Sequence, residues 1–368
     1  MKRIVVSGYY GSKNAGDEAM LAAMIEVLSD LDPQVNITVI SANPEDTEKR
    51  HLVRAIPWLG FGEIVRALRE ADLLVSGGGS LLQNVTSGRS LYYYLSVIWL
   101  AEMIGTPVML YAQGIGPVCG AFARSLMRHV GQKVSLITVR DHGSFEEIRS
   151  LGITRPFLKV TADPVLAIHP VDRGMGRDIL RRAKADGAKP LVGISVREWR
   201  GWEHYKRVVA EAADRIAEEL DARIVFFPMQ VPEDVHTAEN IAGRMKKQAT
   251  VLKDEFTTGE LLALVGNFDI LLAVRLHALI FAGVMGVPMV GVSYDPKIDR
   301  FLDSIGETPA GDLESVTVDA IMEKVREKWE GRESFRKKNA ELLSGLRSLA
   351  AQNAELAIEF IEKHRNRG

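Results

Sequence analysis

The stretch from Phe268 to Lys297, FDILLAVRLHALIFAGVMGVPMVGVSYDPK, limits the folds open to this chain more than any other. It begins as an apolar strand, Phe268 to Val274, and delivers Arg275 and His277 where the apolar residues stop alternating and a helix must start. That helix runs from about Leu276 to Met285 and stops at Gly286, with Pro288 beyond it. Glycine accepts the left-handed conformation that ends a helix, and proline cannot continue one. A second buried strand, Pro288 to Val292, leads into the polar turn SYDPK, which carries Lys297. In open parallel sheets, ligands sit outside the carboxyl ends of the strands. A helix N-terminus there already favours anions. With Arg275, His277 and Lys297 added, the unit reads as a phosphate or carboxylate site. A histidine in the first turn of a buried helix is often only a hydrogen-bonded core residue. An arginine at the rim of the same strand is harder to explain by packing, because charges are almost never fully buried unless paired.

The same alternation runs along the chain. Lys2 to Ser7 reads as a strand, followed by GYYGSKNAGDEAML, whose glycines permit tight turning and whose Asp17 and Glu18 suit the first turn of a helix over 17–30. The glycine spacing is not the dinucleotide-binding fingerprint. The next strand, Asn36 to Ile40, leads to Asn43 rather than to an acid, which disfavours a nicotinamide cofactor. A helix over 62–69 precedes the strand Ala71 to Ser76, which opens into Gly77-Gly78-Gly79-Ser80, with Gln83 and Asn84 beyond. Helix 90–104 carries Tyr92, Tyr93, Tyr94 and Trp99, which read as core rather than as a sugar platform. Strand 107–111 ends at Gln113 in QGIGP, and a helix over 120–133 follows. Strand Val134 to Val139 then delivers Arg140, a second cation at a strand end; its bland reading is a local pair with Asp141 or Glu146. Helix 142–150 and strand 157–160 lead to the turn Ala162-Asp163-Pro164.

Proline, glycine and charge replace periodicity from Ile168 to Met175, which reads as a linker. A second series starts at Leu191: strand LVGISVR, helix 203–220, strand Arg223 to Phe227, helix 233–246, strand 250–253 and helix 258–265. Its strand ends deliver Arg197, with Trp199 and Trp202 behind it, and Gln230. The expected fold is α/β, with two Rossmann-like doubly wound domains over 1–168 and 176–310. Charged amphipathic helices over 311–368 are expected to pack back on the first domain.

Bulk composition excludes several classes. At 368 residues, two domains are expected. A net charge of −2 gives no reason to expect nucleic-acid binding. A single cysteine, Cys119, rules out an intrachain disulfide framework and suits a reducing cytoplasm. The opening MKRIVVSGYYGS has too short an apolar run for a signal peptide, and no run is long enough to span a bilayer. A cytoplasmic protein is expected, with at most peripheral contact at the inner face of the membrane. The basic clusters Arg336-Lys337-Lys338 and Lys363 to Arg367 read as solvated faces or as contacts to anionic lipid. The eight histidines are scattered and no metal-ligand spacing appears.

Two such domains facing each other resemble the glycosyltransferase B architecture. More narrowly, GYYGSKNAGDEAML, VSGGGSLLQN, YAQGIGP, TVRD, TADPV, GISVR and above all VRLHALIFAGVMGVP resemble the polysaccharide pyruvyl transferases, closest to the bacterial cell-wall type called CsaB. The resemblance extends from the first strand to about Lys297. It implies transfer of a pyruvyl group from phosphoenolpyruvate to a sugar as a cyclic ketal. For the cell-wall type, the acceptor is N-acetylmannosamine on a polyprenyl-diphosphate-linked disaccharide. The family's phosphoenolpyruvate-binding positions fall on Arg140, Arg275 and His277, with Lys297 at a further basic position.

Phosphoenolpyruvate carries a phosphate and a carboxylate, so its site needs several cations in fixed geometry. Arg140, Arg275 and His277 are the expected catalytic set, with His277 the expected general acid because its pKa lies nearest working pH. Asp17 is a rival proton carrier. Strand-end position adds Asn14, Asp17, Asn84, Gln113, Arg197 and Gln230 as expected acceptor contacts. No cofactor or metal is required, and the oligomeric state is left open. One rival reading is a nucleotide-sugar-dependent glycosyltransferase on the same architecture. Another, of a different class, is a non-catalytic module that binds lipid-linked saccharide.

Overall fold

The computed structural model describes residues 1–85 and 88–365, apart from the Arg336 side chain. Of the basic-cluster positions, Arg336 and Arg367 therefore lie outside the described residues. The chain divides into two compact units. The first comprises Met1–Ser12, Asp17–Ile168 and Leu346–Gly368; the second comprises Lys13–Gly16 and His169–Gly345.

The sheet of the first unit contains β1 (Arg3–Ser7), β2 (Asn36–Ser41), β3 (Arg54–Pro57), β4 (Leu73–Ser76), β5 (Val108–Gln113), β6 (Leu136–Val139) and β7 (Phe157–Val160). Their order is β3-β2-β1-β4-β5-β6-β7, and every neighbouring pair is parallel. Sequences such as LLVS and LITV are buried at every position, as strands covered on both faces must be. Helices Phe61–Glu70, Gly88–Ile104 and Ala121–Gly131 pack on one face, through Ile64, Leu68, Leu95, Ile98, Met127 and their neighbours. Helix Ala15–Leu31 and the end of Arg332–Arg365 cover the other face, through Leu21, Met24, Ala354 and Ile361.

The second unit repeats the plan with β8 (Leu191–Ser195), β9 (Arg223–Phe226), β10 (Ala249–Val251), β11 (Ile270–Ala273) and β12 (Met289–Gly291). The order is β10-β9-β8-β11-β12, again parallel throughout. Strand order therefore reverses between β1 and β4 in one unit and between β8 and β11 in the other. Those are the points where open α/β sheets bind ligands.

Three differences from the sequence reading have physical causes. Strand β3 and helix Pro44–His51 were not expected. β3 is an edge strand with one buried residue and a proline, and the helix buries only Thr47, so neither carries an apolar pattern. The helix is held by its ends instead: Asn43 accepts from Asp46 N–H, acids fill the first turn and bases the last. The expected linker Ile168–Met175 ends inside helix Gly174–Arg182, whose Gly176 packs against the Ala263 carbonyl. Lys297 stands in the first turn of helix Pro296–Ser304, capped by Asp295, rather than on an open turn.

Candidate active site

In the second unit, the cations gather around the switch point. Arg197 follows β8, and Arg275 follows β11 as the N-cap of helix Leu276–Met285. The two arginines thus flank the crevice where strand order reverses. Arg275 is held firmly. Its Nε donates to Asp234 at 3.0 Å, while Nη2 donates to the other Asp234 oxygen and to Gln230 Oε1 at 3.4 Å. Asp234 is almost fully buried and also accepts the backbone N–H groups of Met229 and Gln230, each at 3.0 Å. This fork fixes the guanidinium plane. Arg275 Nη1 is left without a partner among the described residues.

His277 lies in the first turn of the same helix, and the segment 13–16 packs against it. Ala15 N–H donates to Met229 O at 2.8 Å, and Asn14 forms a bridge with Gln230. Asn14 Oδ1 accepts from Gly16 N–H at 3.0 Å. A Cβ at position 16 would overlap the His277 imidazole, so only glycine allows the backbone to lie flat on that ring. Asn14, Gln230, Arg275 and His277 are thereby brought into one neighbourhood.

Tyr294, in the turn after β12, is the centre of the cationic side. Arg197 Nη1 donates to its hydroxyl, and the Arg197 guanidinium lies 4.6 Å from its ring centroid and 4.9 Å from that of Trp199. Lys297 Nζ lies 5.4 Å from the Tyr294 ring, and the Trp199 and Tyr294 centroids are 4.6 Å apart. Burial alone would raise the phenol pKa; the positive charges of Lys297, Arg197 and Arg275 outweigh it, and the net shift is downward. Arg197 Nε is buried with no hydrogen-bond partner. Trp199 thus stacks with Arg197 at the strand end, while Trp202 caps helix Glu203–Glu219.

The first unit has its own basic station. Arg140, at the end of β6, is 6% exposed and donates from Nη1 to Asp163 at 2.9 Å and from Nη2 to Ser80 at 3.2 Å. Its Nε lies 4.0 Å from Asp141. A Cβ at Gly114 would come within 2.8 Å of Arg140 Nη2, so this glycine clears the path of the guanidinium. The strand-end motifs after β4, β5, β6 and β7 therefore converge on one arginine. Asp17, in the same unit, borders Gly79, where a Cβ would lie 3.2 Å from its carboxylate.

Two expected acceptor contacts have structural employment. Gln113 is fully buried, and its amide nitrogen is committed to the carbonyls of Ser76, at 3.1 Å, and Gly77, which braces the triple-glycine loop. Asn84 pairs with both backbone groups of Cys119, each at 2.7 Å. The sequence reading missed Asp234 and Tyr294, saw Gly16 only among the glycines of a turning loop, and saw Asp163 only as a turn. An acid four residues beyond the strand-end amide Gln230 was the available signal for Asp234. Among the described residues, no group of three or more His, Cys, Asp or Glu could hold a metal ion.

Comparisons with known proteins give a family and a fold. A family described as "Polysaccharide pyruvyl transferase" matches residues 14–296. The Erwinia amylovora amylovoran biosynthesis protein AmsJ is 20% identical over 70% of this chain. The matched region spans 65% of that relative's length. Among solved structures, S. aureus MnaA with UDP superposes with a TM-score of 0.69 at 11% identity, covering 100% of this chain and 97% of its own. A glycosyltransferase from Rickettsia africae gives 0.66 at 11% identity, covering 98% of each chain. E. coli ADP-heptose lps heptosyltransferase II gives 0.53 at 15%, covering 90% of this chain and 100% of its own. These likenesses establish two Rossmann-like domains of the glycosyltransferase B type.

Proposed function

Because this chain belongs to the polysaccharide pyruvyl transferase family, we propose that it transfers a pyruvyl group from phosphoenolpyruvate to a sugar as a cyclic ketal, releasing phosphate, in bacterial polysaccharide synthesis. The similarity to a protein of amylovoran biosynthesis supports the polysaccharide setting. The acceptor we favour is N-acetylmannosamine on a polyprenyl-diphosphate-linked disaccharide of the cell wall, following the sequence resemblance. The reading rests above all on one observation. Arg197 and Arg275 follow strands β8 and β11, and with Lys297 they lower the pKa of Tyr294, while His277 stands in the first turn of the helix that Arg275 caps.

The chemistry fits these groups. Arg275 and Lys297 hold the carboxylate and phosphate, and Arg197 adds a third positive charge. Asp234 offsets part of the Arg275 charge but fixes its orientation, which is what a two-anion ligand requires. His277 protonates the methylene carbon, which becomes the methyl group. One sugar hydroxyl adds at C2 and loses its proton. The C2–O bond to phosphate then breaks, phosphate leaves with the electron pair, and a second hydroxyl closes the ketal. His277, now a base, takes the proton of one hydroxyl, and the departing phosphate takes that of the other. Arg140, at the end of β6, is by the sequence resemblance a further phosphoenolpyruvate position.

Titration calorimetry with phosphoenolpyruvate tests the assignment. The wild-type protein should bind, and Lys297→Met should bind at least about tenfold more weakly, the loss of one charge-assisted contact. Arg275→Met should lose as much or more. Wild-type affinity in both variants would remove phosphoenolpyruvate from this site.

A further inference from the structure

Three helices of the first unit present apolar side chains to solvent. Phe61, Trp99, Met103 and Phe122 are 69%, 46%, 65% and 72% exposed, and Tyr92 joins them. On helix Gly88–Ile104, Tyr92, Trp99 and Met103 fall at spacings of seven and four residues, which is one stripe. The sequence reading placed Tyr92 and Trp99 in the core; only Tyr94 of this group is buried there. Tyr92 lies 6.1 Å, ring to ring, from Phe122 on helix Ala121–Gly131. Tyr93 donates to the Trp58 carbonyl at 3.0 Å and so ties the segment before helix Phe61–Glu70 to the same surface. All three helices bury their inner faces against one side of the sheet, so their outer faces form a continuous layer.

Exposed charge on this layer is net positive: helix Phe61–Glu70 exposes Glu63 and Glu70, against four exposed arginines on the three helices. Arg66, Arg69, Arg89 and Arg128 are exposed on the three helices. On Gly88–Ile104 and Ala121–Gly131, the acidic residue is Glu102. Burial raises the pKa of its carboxyl to about 7, so it is only about half ionised at neutral pH. Tyrosine and tryptophan favour the membrane interface, where a ring can be apolar on one side and wet on the other. Arginines around them reach headgroup phosphates while their stems lie on apolar surface. A second copy of the chain is a poorer occupant: an isologous contact would set this net-positive face against itself.

We propose that the outer face of helices Phe61–Glu70, Gly88–Ile104 and Ala121–Gly131 docks on the headgroup layer of an anionic lipid bilayer. The face leads directly from the Gly77–Asn84 loop into its central helix, and Val85 between them is exposed. Docking there brings the chain to the surface that carries a lipid-linked acceptor; this purpose, though not the binding itself, rests on the function proposed above.

Sedimentation with vesicles of phosphatidylcholine, with or without phosphatidylglycerol, tests the surface. The full chain should pellet with the anionic vesicles and lose that binding as salt rises. The double variant Trp99→Ser/Phe122→Ser should partition at least about tenfold more weakly. Its thermal unfolding should be unchanged, since both side chains are exposed. Equal partition of variant and wild type would overturn the proposal, as would failure of the wild type to bind. Light scattering that gives twice the chain mass for wild type and the single mass for the variant would assign the face to self-association instead. No substrate enters this assay, so its failure leaves the phosphoenolpyruvate titration untouched, and the converse also holds.

Discussion

Arg275 and Arg140 make the same kind of bargain in the two units. Each is a cation at a strand end, taken largely out of water and held by a buried carboxylate, Asp234 or Asp163. Such a charge is tolerated only when paired, and breaking the pair costs about 3–5 kcal/mol. The fixed fork leaves a preorganised donor for an anion. Proton transfer falls to the neighbours. His277→Gln should lower turnover sharply while leaving phosphoenolpyruvate affinity within a few-fold, because a neutral amide keeps the shape and loses the proton. A collapse of affinity would make His277 a binding residue instead. Tyr294→Phe has a separate signature. Its folded pKa is lowered from a reference near 10. The phenolate therefore forms at lower pH than in the unfolded chain, and its contribution to stability is present above about pH 10 and lost as pH falls through the folded pKa. Ultraviolet titration should show an early-ionising tyrosine that Tyr294→Phe removes, together with a slower turnover. If every tyrosine titrated normally, the cationic cluster would not act on this ring.

At the scale of elements, the end of helix Arg332–Arg365 supports the Arg140 station from behind. Asn353 is fully buried; Thr161 donates to it at 2.8 Å, and it donates to Ala162 O at 3.3 Å. Arg347 donates to Ile168 O at 2.7 Å. These contacts pin both sides of Asp163, which in turn pins Arg140. Asn353→Leu should cost about 1–3 kcal/mol by leaving buried polar groups unmet. Thermal melts of this variant should fall, whereas Lys363→Ala, an exposed change on the same helix, should leave them near wild type. Equal melts for the two would mean that the helix end does not brace the unit.

Elements of this second kind were hardest to read. Strands such as β4 and β6 and helix Leu276–Met285 announce themselves by uninterrupted apolar runs and a glycine stop. Arg275 and His277 stand out in the sequence because they interrupt such a run at a strand end, and Lys297 because it follows the next strand in a polar turn. Asp234 does not, because an acid in the first turn of a helix looks like ordinary dipole complementation. Gly16 does not either, since what makes it necessary is a ring from a residue far along the chain. Gln113 and Asn84 stand at strand and loop ends like binding residues, yet the Gln113 amide nitrogen and both Asn84 amide groups bond backbone. Position alone does not separate a brace from a contact.

For the whole molecule, one parallel plan appears twice, and each unit sets an arginine held by a buried carboxylate at the carboxyl end of a strand. Among the described residues, no helix is long and apolar enough to cross a membrane. The fold is shared with enzymes of unrelated specificity, so the reaction has to be argued from the site. The most direct test is phosphate release from phosphoenolpyruvate, with and without a lipid-diphosphate disaccharide ending in N-acetylmannosamine, with mass spectrometry of the saccharide. The account predicts acceptor-dependent release and a product heavier by one pyruvyl ketal. Consumption of a nucleotide sugar, with no phosphate released from phosphoenolpyruvate whichever saccharide is supplied, would contradict it.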